Sequence, residues 1–276
     1  MRTMLYAAIG CGVFAGLAAN AQEPLEAASP LDDLGWVQGP TAVAITDRAT
    51  LQLPEGYVYL GADDTRVLME LMENPSSAEE FYVAPIDADW FVVFDYDDTG
   101  HIEDDEDLDS SALLTSLRQG NDQANEERRR RGWQELNILG WQYEPFYEPD
   151  TQRLAWAILA ESGGEQVVNY NTRLLGRTGV MSAVLVADPS ELDSSIKQLK
   201  TALDGFAYNQ GQRYAEFRPG DKLAAYGLGA LIAGGTAAAV VSSGAGKALF
   251  KLIGVAVVGA FAAVSAFFRR VFGKHR

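Results

Sequence analysis

The sequence predicts an α+β fold that is mainly an antiparallel sheet with two or three packed helices, followed by a C-terminal transmembrane helix or helices. Three observations lead to this prediction: short β-rich runs between turn residues, an amphipathic helix with clear end signals, and two charge-free apolar runs near the C-terminus. Strand runs alternate or are apolar throughout, whereas helices repeat their apolar residues every three to four positions.

The chain begins with the features of a secretory signal peptide at residues 1–21. Arg2 precedes an apolar stretch at 4–19, and residues 19–21, Ala-Asn-Ala, form the small-x-small pattern that signal peptidase cleaves. An uncleaved N-terminal anchor and a lipid-modified Cys11 are alternatives. Cleavage would remove Cys11, which is the single cysteine of the chain. The exported domain would then have no disulfide and would depend on its hydrophobic core.

The next part of the chain is a linker followed by short strands. Residues 22–35 contain Pro, Ala and Ser without periodicity and indicate a linker, so the exported α+β domain is assigned to 36–222. The runs Thr41–Ile45, Ala49–Leu53 and Tyr57–Leu60 are β-rich and predict three strands.

A helix and a central strand follow. Asp63 or Asp64 is the expected cap of a helix that ends by Pro75. Its apolar face holds Leu68, Leu71 and Met72. The run Trp90–Phe94 is apolar on both faces, which is typical of a strand at the centre of a sheet.

Residues 120–133 indicate a charged helix. Glu126 and Glu127 stand four residues before Arg130 and Arg131, which is the favourable order for ion pairs along a helix. A solvated helix with internal ion pairs is therefore the default interpretation. The alternative is that Arg128 to Arg131 form an arginine clamp for an anionic partner.

The second half of the domain predicts an antiparallel meander and a closing helix. Four β-rich runs joined by tight turns lie at 136–143, 154–160, 166–175 and 180–187. Asp188 is the expected N-cap of the helix, with Pro189 at its first position. Its apolar stripe, which must pack on the sheet, holds Leu192, Ile196, Leu199, Leu203 and Phe206.

The C-terminus contains the membrane signal. The run 223–246 is free of charge and long enough for a transmembrane helix, which needs about 20 apolar residues. The run 252–268 is assigned as a second transmembrane, re-entrant or interfacial helix. The basic tail 269–276 is the expected cytoplasmic end under the positive-inside rule, which favours one crossing over a hairpin.

Charge is distributed unevenly along the chain. Residues 22–222 carry 15 Lys and Arg and 38 Asp and Glu, a net charge of −23. Nucleic acid is excluded as a partner because its binding depends on basic residues that neutralise phosphates. Anionic lipid headgroups repel such a domain, so the apolar runs must hold the protein in the lipid bilayer. The expected location is the inner membrane of a bacterium, with the main domain exported to the periplasm.

One acidic loop matches the calcium-binding pattern of about twelve residues. Its candidate metal ligands are Asp95, Asp97, Thr99, His101, Glu103 and Glu106. Gly100 would allow the sharp turn of such a loop. However, Thr99 is a poor ligand, and a strand rather than a helix enters the loop. The alternative is a solvated hairpin turn followed by a charged helix start. Calcium is the one cofactor that the sequence suggests.

A polar face on a predicted strand is the second candidate site. Asn169, Asn171 and Arg173 alternate along the run and therefore share one face of the strand. With tryptophans elsewhere in the domain, this face could bind a carbohydrate-like or peptide-like ligand. The alternative is a structural role in which these side chains satisfy loop carbonyls behind the sheet.

The residue inventory restricts enzymatic function. The chain has two histidines, His101 and His275. They leave almost no candidate residues for a Ser-His-Asp triad or for a zinc site with several histidine ligands. We expect a non-catalytic binding or interaction module that faces the periplasm, with another envelope protein as its partner. The alternative is a carboxylate-dependent hydrolase acting on envelope polymers.

A series of motifs resembles one protein family. It includes Phe94-Asp95-Tyr96, Gly120-Asn121, Gly132-Trp133, Gly140-Trp141, Leu154-Ala155-Trp156, Val168-Asn169-Tyr170-Asn171, Arg173-Leu174-Leu175-Gly176-Arg177 and Ala225-Tyr226-Gly227. The chain resembles, over roughly Trp36 to Ile232, bacterial membrane-anchored proteins classed as a domain of unknown function. The resemblance implies a signal peptide, an exported domain and a C-terminal membrane anchor, and no catalytic residues. His101 departs from it, since an aromatic residue is expected there.

Overall fold

The computed structural model describes residues 29–76, 79–233, 264, 267, 268 and 270–272. Eleven strands lie in these residues and form two sheets. The strands are β1 (Val37–Gln38), β2 (Thr41–Ile45), β3 (Ala49–Leu53), β4 (Tyr57–Leu60), β5 (Glu80–Pro85), β6 (Trp90–Asp97), β7 (Asn137–Glu148), β8 (Arg153–Ser162), β9 (Glu165–Leu175), β10 (Val180–Ala187) and β11 (Phe206–Tyr208).

The larger sheet has eight strands in the order β1-β4-β5-β6-β10-β9-β8-β7, and every neighbouring pair is antiparallel. The smaller sheet has the order β11-β3-β2. Within residues 29–76 and 79–233, four α-helices lie between or after the strands: α1 (Ala62–Leu71), α2 (Ser110–Arg131), α3 (Leu192–Leu203) and α4 (Leu228–Ala233).

One face of the larger sheet packs against the smaller sheet and α3. Phe94 of β6, Leu185 of β10 and Leu51 of β3 lie in one buried cluster with Leu199 and Leu203 of α3. The stripe that predicts α3 therefore does face the sheet, and its burial contributes about 1.5 to 3 kcal/mol per large apolar side chain.

The other face of the larger sheet is covered by α1, α2 and α4. Leu68 and Met69 of α1 pack on the β4–β5–β6 end. Leu117 of α2 and Leu231 of α4 pack with Trp156 of β8 at the other end. The sheet is thus the middle layer of the domain, and its central strands are buried on both faces.

The described C-terminal residues pack on this second face as well. Phe267 and Phe268 are buried in the same cluster as α1, and their rings lie 5.8 and 5.0 Å from the ring of Trp36. Arg270 Nη2 pairs with Asp32 Oδ1 at 2.7 Å. The tail is therefore in contact with the N-terminal part of the folded domain.

The predicted α+β class with a large antiparallel sheet is confirmed. The meander over 136–187 is present as β7 to β10, and the three early strands have the predicted bounds. Four details were wrong. Asp188 caps the 3₁₀ turn Pro189–Glu191, and α3 itself begins only at Leu192. The cap of α1 is Gly61, Leu71 is exposed rather than core, and Phe206 belongs to β11 rather than to the helix.

The linker assignment needs a correction at its C-terminal end. Residues Pro30–Asp33 form a 3₁₀ turn capped by Ser29, and Leu31 and Leu34 are buried in the core. Packed structure therefore begins before Trp36, because two leucines find apolar partners there.

The signal peptide and most of both predicted membrane segments lie outside the described residues. In the part of the chain that the structure describes, no helix has the length and apolar character needed to cross a membrane. Of the run 223–246, residues 228–233 form α4 and pack on the domain. Of the run 252–268, Val264, Phe267 and Phe268 lie in a protein core. Both membrane segments stay predictions.

Candidate ligand-binding strip on β9

The strand β9 places Asn169, Asn171 and Arg173 on the face of the larger sheet that α2 and α4 cover, and we call these three residues the polar strip. In an antiparallel pair, residues directly opposite each other share a face. Asn171 is opposite Trp156 of β8, and Arg173 is opposite Ser182 of β10. The prediction that the three side chains share one face is confirmed by this register.

The polar strip is buried, although its residues are polar. Asn169 and Asn171 are 1% exposed and Arg173 is 2% exposed. Asn171 Nδ2 donates to the carbonyl of Asn169 at 3.1 Å, and Arg173 Nη1 donates to the carbonyl of Thr172 at 3.3 Å. Both acceptors belong to β9 itself, so these bonds reach no loop.

Several atoms of the polar strip have no hydrogen-bond partner among the described residues. These atoms are Asn169 Oδ1, Asn171 Oδ1 and Arg173 Nη2, together with the indole Nε1 of the neighbouring Trp156. An unpaired buried donor or acceptor costs about 1 to 3 kcal/mol, and most buried polar groups in proteins are paired. Unpaired atoms concentrated on one strand face therefore need an explanation.

The charge of Arg173 is only partly compensated. Burial lowers the pKa of the Arg173 guanidinium to about 10, while the charges of Asp95 and Asp97 on β6 oppose that shift. The group is therefore still a cation at neutral pH. Its guanidinium carbon lies 4.7 Å from the ring centre of Trp156, a cation–π contact. Asp95 is opposite Ser182, so it is two strands away from Arg173.

Arg128 on α2 gives the contrasting case of a buried arginine with a structural role. Its Nη1 donates to the carbonyls of Glu73 and Gln134, both at 3.1 Å, and its Nη2 donates to Asn74 Oδ1 at 3.2 Å. It joins the end of α2 to the loop after α1. Burial lowers its pKa as well. Arg128 thus donates three hydrogen bonds to other parts of the fold, whereas the bond from Arg173 Nη1 stays within β9 and Arg173 Nη2 is unpaired.

The other arginines in the last turn of α2 form ion pairs, although not all of those predicted. Of the two predicted pairs, the described residues show Glu127 with Arg131, while Arg130 pairs with Glu127 instead of Glu126. Glu127 binds Arg130 at 2.7 Å and Arg131 at 2.9 Å, and Arg129 binds Glu135 at 3.0 Å. These cations already have carboxylate partners on the domain. The arginine clamp for an anionic partner is therefore not supported by their geometry.

The candidate calcium ligands are spread over a strand and an extended loop. Asp95 and Asp97 belong to β6, and Thr99 follows in the loop. Helix α2 begins only at Ser110, capped by Asp109, so the helix that should follow position twelve is absent at Glu106.

Two of the candidates have other roles in this structure. His101 stacks between Tyr214 and Phe217, at 4.4 and 4.1 Å between ring centres. Glu106 accepts a hydrogen bond from the amide of Gly229 in α4, while Glu103 is exposed. The described residues contain no group of three or more acidic, His or Cys side chains placed to hold a metal ion. The calcium site stays a prediction.

A pair of carboxylates lies on β5 and β6, separated from β9 by β10, and sequence reasoning missed it. Glu80 of β5 is directly opposite Asp95 of β6. Such a pair is what the hydrolase alternative requires. However, Glu80 accepts a hydrogen bond from Ser76 at 2.8 Å, and Asp95 also has an interaction partner. β5 was not predicted from the sequence, so this pairing was not visible there.

Comparison with known proteins gives a family but no activity. A family model described as "Protein of unknown function (DUF2167)" matches residues 37–266. No curated protein matches the chain. Among solved structures, the solution structure of cyanobacterial PsbP (CyanoP) from Synechocystis sp. PCC 6803 has 12% sequence identity and a TM-score of 0.35. That alignment covers 68% of this chain and 100% of the cyanobacterial one.

Proposed function

The chain belongs to the DUF2167 family of unknown function, and from this premise we propose that it is a non-catalytic binding module. Its ligand is an envelope component held at the polar strip. The domain faces the periplasm, and the apolar C-terminal part of the chain attaches it to the inner membrane. The predicted signal peptide, the net charge of −23 over 22–222 and the run 223–246 support this location.

The observation that carries the proposal is the unpaired state of the polar strip. A structural role predicts that Asn169, Asn171 and Arg173 satisfy carbonyls from other parts of the fold, as Arg128 does. Their bonds instead stay within β9 and leave two acceptors and one donor unused. Groups kept polar, buried and unpaired at a cost in stability are typical of functional sites.

The two buried arginines provide a matched test. Arg173→Met and Arg128→Met remove the same charge and keep an apolar stem of similar length. We expect Arg128→Met to lower the free energy of unfolding by about 3 kcal/mol, because three acceptors lose their donor. We expect Arg173→Met to change it by less than about 1 kcal/mol or to raise it, because the buried charge that is removed is only partly compensated by Asp95 and Asp97. Urea unfolding of the full chain in detergent measures both.

The opposite ranking would disprove the proposal. If Arg173→Met destabilised the protein as much as Arg128→Met, Arg173 would be part of the structural framework of the sheet. Asn171→Leu provides a second measurement, since it is nearly isosteric and removes the unpaired Oδ1. We expect it to be neutral or stabilising for the same reason.

A further inference from the structure

The outward side of α1 carries two exposed apolar side chains, where a surface helix usually carries polar ones. Val67 is 45% exposed and Leu71 is 47% exposed. Because they are four residues apart, they lie on one line along the helix, and we call them the α1 ridge. An open cleft of about 410 Å³ lies over it, lined among the described residues by the ridge, Arg66 and Glu70. The α1 ridge is therefore accessible and has a recess for apolar groups.

The C-terminal end of α1 adjoins side chains that are typical of a membrane interface. Arg131 Nη1, at the end of α2, lies 3.7 Å from Glu70 Oε2. The guanidinium carbon of Arg131 lies 4.7 Å from the ring centre of Trp133. Trp and Arg suit the boundary between acyl chains and headgroups, because each combines an apolar body with a polar end. At the other end of α1, Asp63 is 91% exposed. Polarity thus falls along α1 from Asp63 to Leu71.

The apolar C-terminal part of the chain starts and ends on the face of the larger sheet that α1, α2 and α4 cover. Ala233 closes α4, and Val264 is buried in the cluster that contains Leu68 of α1. The 30 residues between them, 234–263, have Lys247 and Lys251 as their only charged residues.

The length of this segment restricts its relation to a bilayer. One crossing would put Ala233 and Val264 on opposite sides of the membrane, although both pack on the same domain. Two crossings need about 40 apolar residues, at about 20 for each. A bilayer that receives the segment 234–263 therefore lies against the helix-covered face of the domain.

We propose that the α1 ridge rests on the periplasmic leaflet of the inner membrane. Leu71 lies among the upper acyl carbons, and Val67 lies at the level of the headgroups, where water still reaches it. This order follows the fall in polarity along α1 from Asp63. The inference rests on the membrane attachment in the proposed function, and it is independent of the polar strip.

Quenchers carried by the lipid test this contact. The chain is purified in detergent from the membranes of the cells that export it and is reconstituted in phosphatidylcholine vesicles. This lipid is zwitterionic, which avoids repulsion by the net charge of −23 over 22–222. Cys11→Ala removes the native cysteine, and Leu71→Cys carries a fluorophore. An interfacial apolar face reaches about 5 to 10 Å into the bilayer, so we expect bromine on the upper acyl carbons to remove about half or more of the emission.

Leu139→Cys is the matched control for Leu71→Cys. Leu139 is 42% exposed, and it belongs to β7 at the opposite edge of the larger sheet from β1 and β4. Because both leucines are exposed, neither substitution removes a core contact. We expect brominated lipid to leave the emission of labelled Leu139→Cys unchanged and to quench labelled Val67→Cys less than Leu71→Cys.

Three results would overturn the inference. The first is quenching of Leu71→Cys that is absent or no stronger than that of Leu139→Cys. The second is stronger quenching at Val67→Cys than at Leu71→Cys, which would reverse the orientation of α1. The third is a label at Leu71→Cys that is shielded from water but not quenched by brominated lipid. In that case a protein surface, either the segment 234–263 or a second copy of the chain, covers the ridge.

Flotation of the same vesicles separates this inference from the proposed attachment. If the chain does not float with the vesicles, the proposed membrane attachment is wrong, and the inference is wrong with it. If the chain floats while Leu71→Cys is quenched no more than Leu139→Cys, the attachment stands and the contact of α1 with lipid is wrong.

Discussion

Asp221 pairs with Arg177 at the place where the folded domain passes into the apolar C-terminal run. Arg177 Nε and Nη2 donate to the two oxygens of Asp221, both at 2.7 Å. These bonds lower the pKa of Asp221 to about 2, below the usual aspartate value of about 3.9. A bidentate pair of this kind fixes the geometry of both groups.

The pKa of Asp221 predicts a dependence of stability on pH. A carboxyl group whose pKa is lowered by folding stabilises the protein above its unfolded pKa, and this stabilisation is lost as the pH falls through the folded pKa. We therefore expect Asp221→Asn to be less stable than the wild type at pH 7. The difference should shrink as the pH falls from about 4 to about 2. Urea midpoints at pH 7 and near pH 3 measure it.

Asp63→Asn is the matched control for that experiment. Asp63 also binds an arginine, Arg66 at 3.1 Å, but its side chain is 91% exposed, compared with 16% for Asp221. Exposed ion pairs contribute little to stability. If Asp63→Asn lowered the urea midpoint as much as Asp221→Asn, and with the same dependence on pH, the assignment of the pH effect to the pair of Asp221 with Arg177 would be contradicted.

The polar strip shows what can be deduced residue by residue. The alternation of Asn169, Asn171 and Arg173 was sufficient to place them on one face. Their burial was not predictable, because α2 and α4 cover them from positions about 50 residues away on either side in the sequence. Whether their hydrogen bonds are satisfied also depends on those distant elements.

Among the elements, β5 and β7 show the limits of pattern analysis. β5 lies next to residues 75–79, where Pro, Ser and acidic residues weaken the strand signal. β7 continues to Glu148 although it contains Pro145, because it is an edge strand and its partner β8 tolerates three register shifts. By contrast, the place of α3 was predicted because its apolar stripe is local in the sequence, although Asp188 caps the 3₁₀ turn Pro189–Glu191 in front of the helix.

The connection from the domain to α4 depends on a close approach at Gly100. Gly100 has a φ of +107°, and a Cβ there would meet the backbone carbon of Leu223 at 2.6 Å. Next to it, His101 N donates to the carbonyl of Lys222 and Ala224 N donates to the carbonyl of His101, at 2.8 and 2.9 Å. The segment before α4 is thus held by two backbone hydrogen bonds beside a glycine.

Gly100→Ala is expected to detach this segment. The substitution combines a strained φ with a clash against backbone that cannot shift without breaking the two hydrogen bonds. We expect a loss of about 2 to 4 kcal/mol in unfolding free energy and faster amide exchange at His101 and Ala224.

Gly164→Ala isolates the conformational part of that effect. Gly164 has a φ of +88°, and a Cβ added there would meet no other atom within 4 Å. The unfolding free energy of Gly164→Ala should fall only by the cost of the left-handed conformation, about 1 to 2 kcal/mol. Equal losses in the two variants would show that the contact with Leu223 contributes nothing.

At the level of the whole molecule, the tail contact predicts on which side of the membrane the C-terminus lies. Arg270 pairs with Asp32 of the domain, and Phe267 and Phe268 are buried beside Trp36. A tail bound to an exported domain must itself be in the periplasm. This differs from the cytoplasmic end expected from the positive-inside rule, since that rule considers charge and not tertiary contacts.

Labelling of single cysteines tests the side of the tail. Val271 is 40% exposed, and Val67 of α1 is 45% exposed. We expect a membrane-impermeant maleimide to label Val271→Cys and Val67→Cys in spheroplasts to a similar extent. If Val271→Cys reacted only after lysis while Val67→Cys reacted before it, the contact of the tail with the domain would not exist in the membrane-bound protein.

The overall class and the places of α1 and α3 were predictable, since they depend on local periodicity, whereas α2 begins at Ser110, ten residues before the segment that predicted it. The three-layer arrangement was not, because the smaller sheet joins β2 and β3 to β11, more than 150 residues later in the chain. Similarly, the packing of Val264, Phe267 and Phe268 on the domain contradicts no local pattern. Apolar residues satisfy a bilayer and a protein core equally well by hydropathy.

The contact between Arg270 and Asp32 joins two distant parts of one chain. Because the tail and the surface beside Trp36 belong to the same molecule, their association does not depend on the concentration of the protein. A separate protein or peptide that binds the surface beside Trp36 would first have to displace Phe267 and Phe268.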